Sequence, residues 1–268
     1  MSHGVRVIPI AAAWMLAAST AWAQGAKPLR ACAPDAVVAG TVCMDKYEAS
    51  VWRVPDPFLG NKGLVAKIQG GKATAADLAN GGATQLGIAS DDYAPCGDSA
   101  QNCANDIYAV SLPGVPPSRY LTWFQAVAAC KNSRKRLPTN AEWQAAVAGT
   151  PDPGSDNGTT DCNSTAAGPA LTGARSSCVS TSGAFDMVGN LYEWVAEWMP
   201  QSTACGTWSA GVSPTGDQQC LAGAATTGEP GALGRGGSFL YGAATGPLTI
   251  ADAGPSATFN DLGFRCAR

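Results

Sequence analysis

Histidine is nearly absent from this 268-residue chain: the single one, His3, lies at the extreme N-terminus. A Ser-His-Asp or Cys-His catalytic device has no imidazole to use. Zinc sites built on imidazole and iron sites built on two histidines and a carboxylate are excluded for the same reason. Charge is also scarce, at 14% of residues, with 17 basic against 20 acidic side chains and a net charge of −3. This is no nucleic-acid footprint. After the first two dozen residues no apolar run approaches the roughly 20 residues that a membrane span needs. No Cys-x-x-Cys occurs, which removes the commonest redox and metal-binding spacing.

The start of the chain has the form of a cleavable leader. Arg6 precedes an apolar stretch from Val7 to about Ala18, and Ala21-Trp22-Ala23 supplies a small-x-small end. Cleavage near Ala23 is expected, placing the mature protein in the periplasm, at the cell surface or outside the cell. The remainder, of a size for one domain, is rich in glycine (32) and proline (18), which suits ordered loops rather than long helices.

Ten cysteines, an even number, follow the leader. In an oxidising compartment they are expected to pair. Ten cysteines allow about 945 pairings, but local spacing suggests four loop closures: Cys32–Cys43, Cys96–Cys103, Cys162–Cys178 and Cys205–Cys220. Cys130 and Cys266 remain as a long-range tie.

Residues 24–42 read as an extended lead-in. Cys43 to Val51 alternates like one strand, and Tyr108-Ala109-Val110-Ser111 like a second. Residues 55–105, with few evident apolar anchors, read as a long loop insertion carrying at most a short helix near Ala75-Asp77-Leu78. Thr122-Trp123-Phe124-Gln125 and Thr139-Asn140-Ala141-Glu142 both have the capping-box form and predict two helices separated by a basic turn from Lys131 to Arg136. Phe124, Val127, Ala128 and Cys130 keep helical spacing in the first. Residues 149–184 are loop-like and contain two glycosylation sequons, at Asn157 and Asn163.

Four stretches then carry a family resemblance: Arg136-Leu137-Pro138-Thr139-Asn140-Ala141-Glu142-Trp143, Asp186-Met187-Val188-Gly189-Asn190-Leu191-Tyr192-Glu193-Trp194, Arg235-Gly236-Gly237-Ser238 and Gly263-Phe264-Arg265-Cys266. In this order and spacing, residues 43–268 resemble the sulfatase-modifying-factor domain of formylglycine-generating enzymes. The resemblance implies an α+β, C-type-lectin-like fold: a small twisted sheet with two packed helices, loop-rich and disulfide-stapled. It implies the Cys130–Cys266 bridge as well. It further implies a structural calcium ion held by the Asp186 and Glu193 side chains and the Gly189 and Leu191 carbonyls, a donor set suited to that cation.

The family's oxidases bind copper through two cysteines five positions apart, shortly after Arg-Gly-Gly-Ser. Here Phe239 to Ile250 contains no cysteine, and no histidine is available for the iron-dependent members. Neither copper nor iron is therefore expected, and no catalytic residue is assigned. The C-terminal segment also resembles the variable proteins of diversity-generating retroelements, which use the same fold as a scaffold for a ligand-binding face. That resemblance places the face at Phe239, Leu240, Tyr241, Thr245, Asp252, Thr258, Phe259, Asn260 and Asp261, where aromatic and small polar groups suit recognition of a protein or glycan. The expectation is a monomeric binding protein. An oxidoreductase with a divergent site and a structural envelope component are the alternatives.

Overall fold

The computed structural model describes Met1 and residues 31–268. The leader and His3 lie outside the described residues. Among those described, no helix is long and apolar enough to cross a membrane.

The chain folds as α+β. A hairpin of β1 (Ala36–Ala39) and β2 (Val42–Asp45) turns at Gly40 and pairs in register Val37↔Met44. The outer side of β2 meets the C-terminal residues: Cys43 and Arg268 exchange both backbone hydrogen bonds, at 3.0 and 2.8 Å. Next, β3 (Ala49–Arg53), β4 (Thr84–Leu86) and β5 (Ile107–Ser111) form an antiparallel sheet in the order β4-β3-β5. The largest sheet contains β6 (Tyr192–Met199), β7 (Ala204–Thr207), β8 (Gln218–Ala222), β9 (Gly231–Arg235), β10 (Ile250–Ala253) and β11 (Leu262–Phe264), in the order β11-β6-β9-β10-β8-β7. Among the described residues three sheets thus stand where one small sheet was expected.

The single strand expected from Cys43 to Val51 is broken. Lys46 and Tyr47 bend away, because β2 pairs with β1 and the C-terminus while β3 belongs to the sheet with β5. Periodicity alone does not reveal a change of partner.

Residues 55–105 are not a plain loop insertion. They contain α1 (Lys62–Gln69) and α2 (Ala75–Asn80) as well as β4. Leu64 and Ile68, four apart on one helical face, and Leu78 are buried against Val54, Tyr108 and Val110. The apolar anchors are few but suitably spaced, and a capping box at Thr74 and Asp77 starts the second helix.

The two capping boxes recognised in the sequence both form. Thr122 starts α3 (Trp123–Asn132) and Thr139 starts α4 (Asn140–Ala146). The apolar stripe of α3 is rotated from the expected one. Gln125, Ala126, Ala129 and Cys130 face the core, while Phe124, Val127 and Ala128 are half-buried.

The structure joins the same five cysteine pairs that spacing and the resemblance suggested. Five disulfides fit an oxidising compartment. The basic turn after α3 is only partly a turn in solvent. Lys135 is buried, its Nζ 2.6 Å from both Asp35 Oδ2 and Asp45 Oδ1. Arg268 reaches Asp35 as well, at 2.9 Å, so the described part of the lead-in, from residue 31, is tied to the domain around Asp35. Of the two sequons, Asn163 is 1% exposed, with its amide donated to Asn190 and Gly168, and so is inaccessible in the fold. Asn157 lies at an exposed turn.

Candidate functional site

The site begins where β9 ends. Gly236 and Gly237 both have positive φ, +87° and +78°, and neither position has room for a side chain. A Cβ on Gly236 would stand 2.8 Å from the Met187 carbonyl, and one on Gly237 2.7 Å from Thr245 Cα. The paired glycines therefore swing the chain off the sheet. Ser238 lands buried, its hydroxyl donating to Asp261 Oδ2 at 2.9 Å. The Phe239 amide then donates to the Asn190 carbonyl at 3.0 Å, and its ring is turned into the core.

Leu240 and Tyr241 emerge on the outside, 54% and 43% exposed. The chain returns through a single 3-10 turn, Gly242–Ala244, and Thr245 is buried with its hydroxyl donating to the Ser238 carbonyl. On the facing side, Tyr120 donates its backbone N–H to the Phe259 carbonyl at 2.9 Å, and Arg119 donates to the Asn260 carbonyl at 2.9 Å. These contacts hold Phe259 at the rim, 44% exposed.

Between the two rims lies an open hollow of about 140 Å³, lined by Tyr192, Trp194, Tyr241, Asp252, Phe259 and Asp261 among others. Tyr192 and Tyr241 meet edge to face, with ring centroids 5.4 Å apart. Burial raises both phenols above their ordinary range; the neighbouring Asp261 carboxylate adds to the shift at each, and at Tyr192 so does Tyr241 itself. Both rings are therefore neutral at physiological pH.

Of the nine positions expected on the binding face, Tyr241, Phe259 and Asp261 share the hollow; Asp252 borders it along β10, but pairs with Leu233 and turns its carboxylate to the other face, where it accepts the Ser202 N–H. Asp261 is largely covered, being 8% exposed. Leu240 and Asn260 are exposed outside it and Thr258 is half-buried. Phe239 and Thr245 do not belong to the face: they are 2% and 1% exposed and support the turn from beneath. Tyr192 and Trp194, the floor, were missed by sequence reasoning. The signal was strand alternation: on β6 these two share one face, while Glu193 points to the other.

On that other face lies the turn expected to hold calcium. Asp186 and Asn190 adopt φ of 57° and 58°, and a Cβ on Gly189 would lie 2.4 Å from the Asn163 carbonyl. Asp186 Oδ2 accepts the Gly173 N–H at 2.6 Å. Glu193 is fully engaged: Oε2 accepts from Arg265 Nε and Trp143 Nε1, both at 2.7 Å, and Oε1 accepts from Arg265 Nη2 at 2.5 Å. A third buried carboxylate, Glu48, accepts the Leu191 N–H at 3.0 Å and an Asn190 amide proton. No sequence motif pointed to it. Burial raises Asp186 to about 6 and Glu48 well above the ordinary carboxylate range. Among the described residues no group of three or more such side chains is arranged to hold a metal ion, and here the guanidinium of Arg265 already occupies both Glu193 oxygens.

Arg235, beside the paired glycines, stacks on the Trp143 ring at 4.6 Å and donates to the Leu248 and Pro247 carbonyls and to Gln144. Burial without a carboxylate in contact lowers it to about 10. No thiol is near: all ten cysteines are in disulfides, and none is free.

No curated protein matches the chain. Among solved structures, the U1 variant of Major Tropism Determinant is 18% identical, with 90% of this chain and 54% of that one covered and a TM-score of 0.45. The P3c variant is 21% identical over 64% of this chain and 47% of that one, with a TM-score of 0.39. PvdO from Pseudomonas aeruginosa is 17% identical over 87% and 82%, with a TM-score of 0.40. The chain thus spans about half the length of the tropism determinants it resembles. A family model for the sulfatase-modifying factor enzyme 1-like domain matches residues 112–268, more than half of the sequence. That span holds all four motifs, the paired-glycine turn and the Arg265–Glu193 cluster, and the chain belongs to this family.

Proposed function

We propose that this protein is an exported ligand-binding member of its family, working through the hollow beside the paired-glycine turn and without formylglycine-generating chemistry. The observation that carries the reading is the hollow itself. Exposed Tyr241 and Phe259 line it over a floor of Tyr192 and Trp194, and Tyr241 lies in the segment where the family's oxidases carry copper-binding cysteines. Large, rigid aromatic rims beside the Asp261 carboxylate suit recognition. With every cysteine in a disulfide, a thiolate copper site would require a bridge to be broken.

Two assays test this. Purified protein given copper, oxygen and a sulfatase-type cysteine peptide is expected to form no formylglycine; turnover would overturn the reading. A Tyr241→Ala/Phe259→Ala double variant is expected to keep its melting temperature while losing ligand binding.

The proposal extends to three finer points. The leader directs export to the periplasm, cell surface or medium. A calcium ion joins the Asp186 cluster, using the Asp186 carboxylate and the Gly189 and Leu191 carbonyls beside Arg265. The exposed positions Leu240, Tyr241, Phe259 and Asn260 are diversified by a retroelement. Diversification requires a near-copy of the gene's 3′ end beside a reverse transcriptase, differing at adenines. A gene neighbourhood with neither feature would remove that point.

A further inference from the structure

Away from the hollow, a buried lysine stands between two carboxylates where the two ends of the described chain meet. We infer that the Lys135 amine condenses with the Asp45 carboxyl to form an isopeptide bond, with Asp35 as the general base.

The three groups come from separate parts of the chain. Asp35 precedes β1, Asp45 ends β2, and Lys135 lies in the turn between α3 and α4. Lys135 Nζ is 2.6 Å from both Asp35 Oδ2 and Asp45 Oδ1, and its side chain is 0% exposed. Both carboxylates are covered as well. Tertiary packing therefore holds an amine against a carboxyl group with water shut out. Well-oriented neighbours of this kind react as if at effective molarities of roughly 10⁵–10⁸ M.

The two carboxylates differ, and the difference assigns their roles. Against the cost of burial, Lys135 and Arg268 hold Asp35 below the ordinary carboxylate range; Arg268 donates to its Oδ1 at 2.9 Å. Burial raises Asp45, and the Asp35 charge beside it adds to the shift, against the pull of Lys135. Asp45 Oδ2 accepts the Cys266 N–H at 3.2 Å. A proton passing from Nζ to Asp45 Oδ1 turns a buried ion pair into a neutral amine and a carboxylic acid, with no change in net charge. That exchange relieves the cost of keeping both charges out of water. It also produces the two forms that condense.

Nζ then attacks Asp45 Cγ and forms the C–N bond. Charge gathers on Oδ2, where the Cys266 N–H points. Asp35 Oδ2, within a general base's reach of the nitrogen, takes its proton. The carbonyl re-forms as the Oδ1 hydroxyl departs, and the proton held by Asp35 leaves with it as water. One amine and one acid give one amide and one water, and no oxidant, metal or activated group is consumed. The bond joins positions 90 residues apart. It lies beside Cys43 and Cys266, whose disulfides a reductant opens, and is itself resistant to reduction.

The test is peptide mapping of the purified full chain after reduction, alkylation and trypsin digestion. Most of the folded protein is expected to yield a branched species. In it the peptide carrying Asp45 is joined to the one carrying Lys135, lighter by one water than the two together. Fragmentation is expected to place the link at Asp45. Lys135→Arg keeps the charge and is expected to fold and give only separate peptides. Asp35→Asn, read on its soluble folded fraction, is expected to lower the linked share at least several-fold at a fixed time after refolding.

Recovery of only the separate peptides from folded wild-type protein would overturn the inference and leave Lys135 as the centre of a buried ion pair. A link found at Asp35 would overturn the assignment of roles. Linkage as complete in Asp35→Asn as in the parent would overturn the general base.

Discussion

Arg265 and Glu193 face each other as a bidentate ion pair inside the core, Nε to Oε2 at 2.7 Å and Nη2 to Oε1 at 2.5 Å. Both side chains are at most 1% exposed. Removing one partner leaves the other charge buried and unpaired. Arg265→Met is therefore expected to cost about 3–5 kcal/mol, read as a fall in the denaturant midpoint. A change within measurement error would show that the pair contributes no net stability.

The five disulfides are not equivalent. Cys130–Cys266 spans 136 residues and Cys96–Cys103 only 7. In the chain-entropy account, removing the first costs about 5 kcal/mol and the second about 2.5 kcal/mol. Paired serine variants of each bridge, compared by chemical denaturation, should rank in that order. The reverse ranking would indicate that native-state packing outweighs loop closure.

Neighbouring aromatic and aliphatic positions after the paired glycines should behave oppositely. Phe239 is core, so Phe239→Ala is expected to destabilise by about 3–5 kcal/mol. Leu240 is exposed, so Leu240→Ala should stay within about 0.5 kcal/mol. Comparable losses at both sites would contradict the placement of the turn.

Asp152 predicts a pH dependence. Burial, with the adjacent Asp217 carboxylate, raises it from 3.8 to about 6 despite the hydrogen bond from Thr215. Folding therefore takes up a proton between these values. The stability it contributes is fully present below about 3.8 and is lost as pH rises through about 6. Asp186, also raised to about 6, acts in the same window. The melting temperature is expected to rise from pH 7 to pH 5, and Asp152→Asn to flatten part of that rise. A variant with the same slope as the parent would rule Asp152 out as a source.

Calcium should raise the melting temperature and a chelator lower it, since an ion bound only to the folded state stabilises by mass action. An Asp186→Ala variant should lose the response. A melting temperature indifferent to both additions would end the calcium proposal.

Much of this was legible in the chain because the determinants are local. The capping boxes at Thr122 and Thr139 each need only four consecutive residues to form, and both do. Four of the disulfides close loops short enough to be read from spacing. The motifs that carry the family resemblance are contiguous. The short helix expected near Ala75 forms at 75–80, but the helix at 62–69 escaped notice because so few residues anchor it, and its burial depends on a sheet formed by strands on either side of it in sequence.

The paired glycines after Arg235 were visible in the sequence as part of a motif, but the turn they make off the sheet was not. Which side chains near it face solvent was decided by tertiary contacts: the Asn190 carbonyl draws the Phe239 amide inward, and Arg119 and Tyr120 hold the Phe259 loop outward. Likewise the sequence by itself shows that residues 239–250 contain no cysteine and that the single histidine is His3. That Tyr192 and Trp194 floor a hollow beneath Tyr241, Phe259 and Asp261 was decided only when β6, β9, β10 and β11 came together. A binding site is a property of distances between side chains far apart in the chain, and those distances exist only once the apolar core has closed.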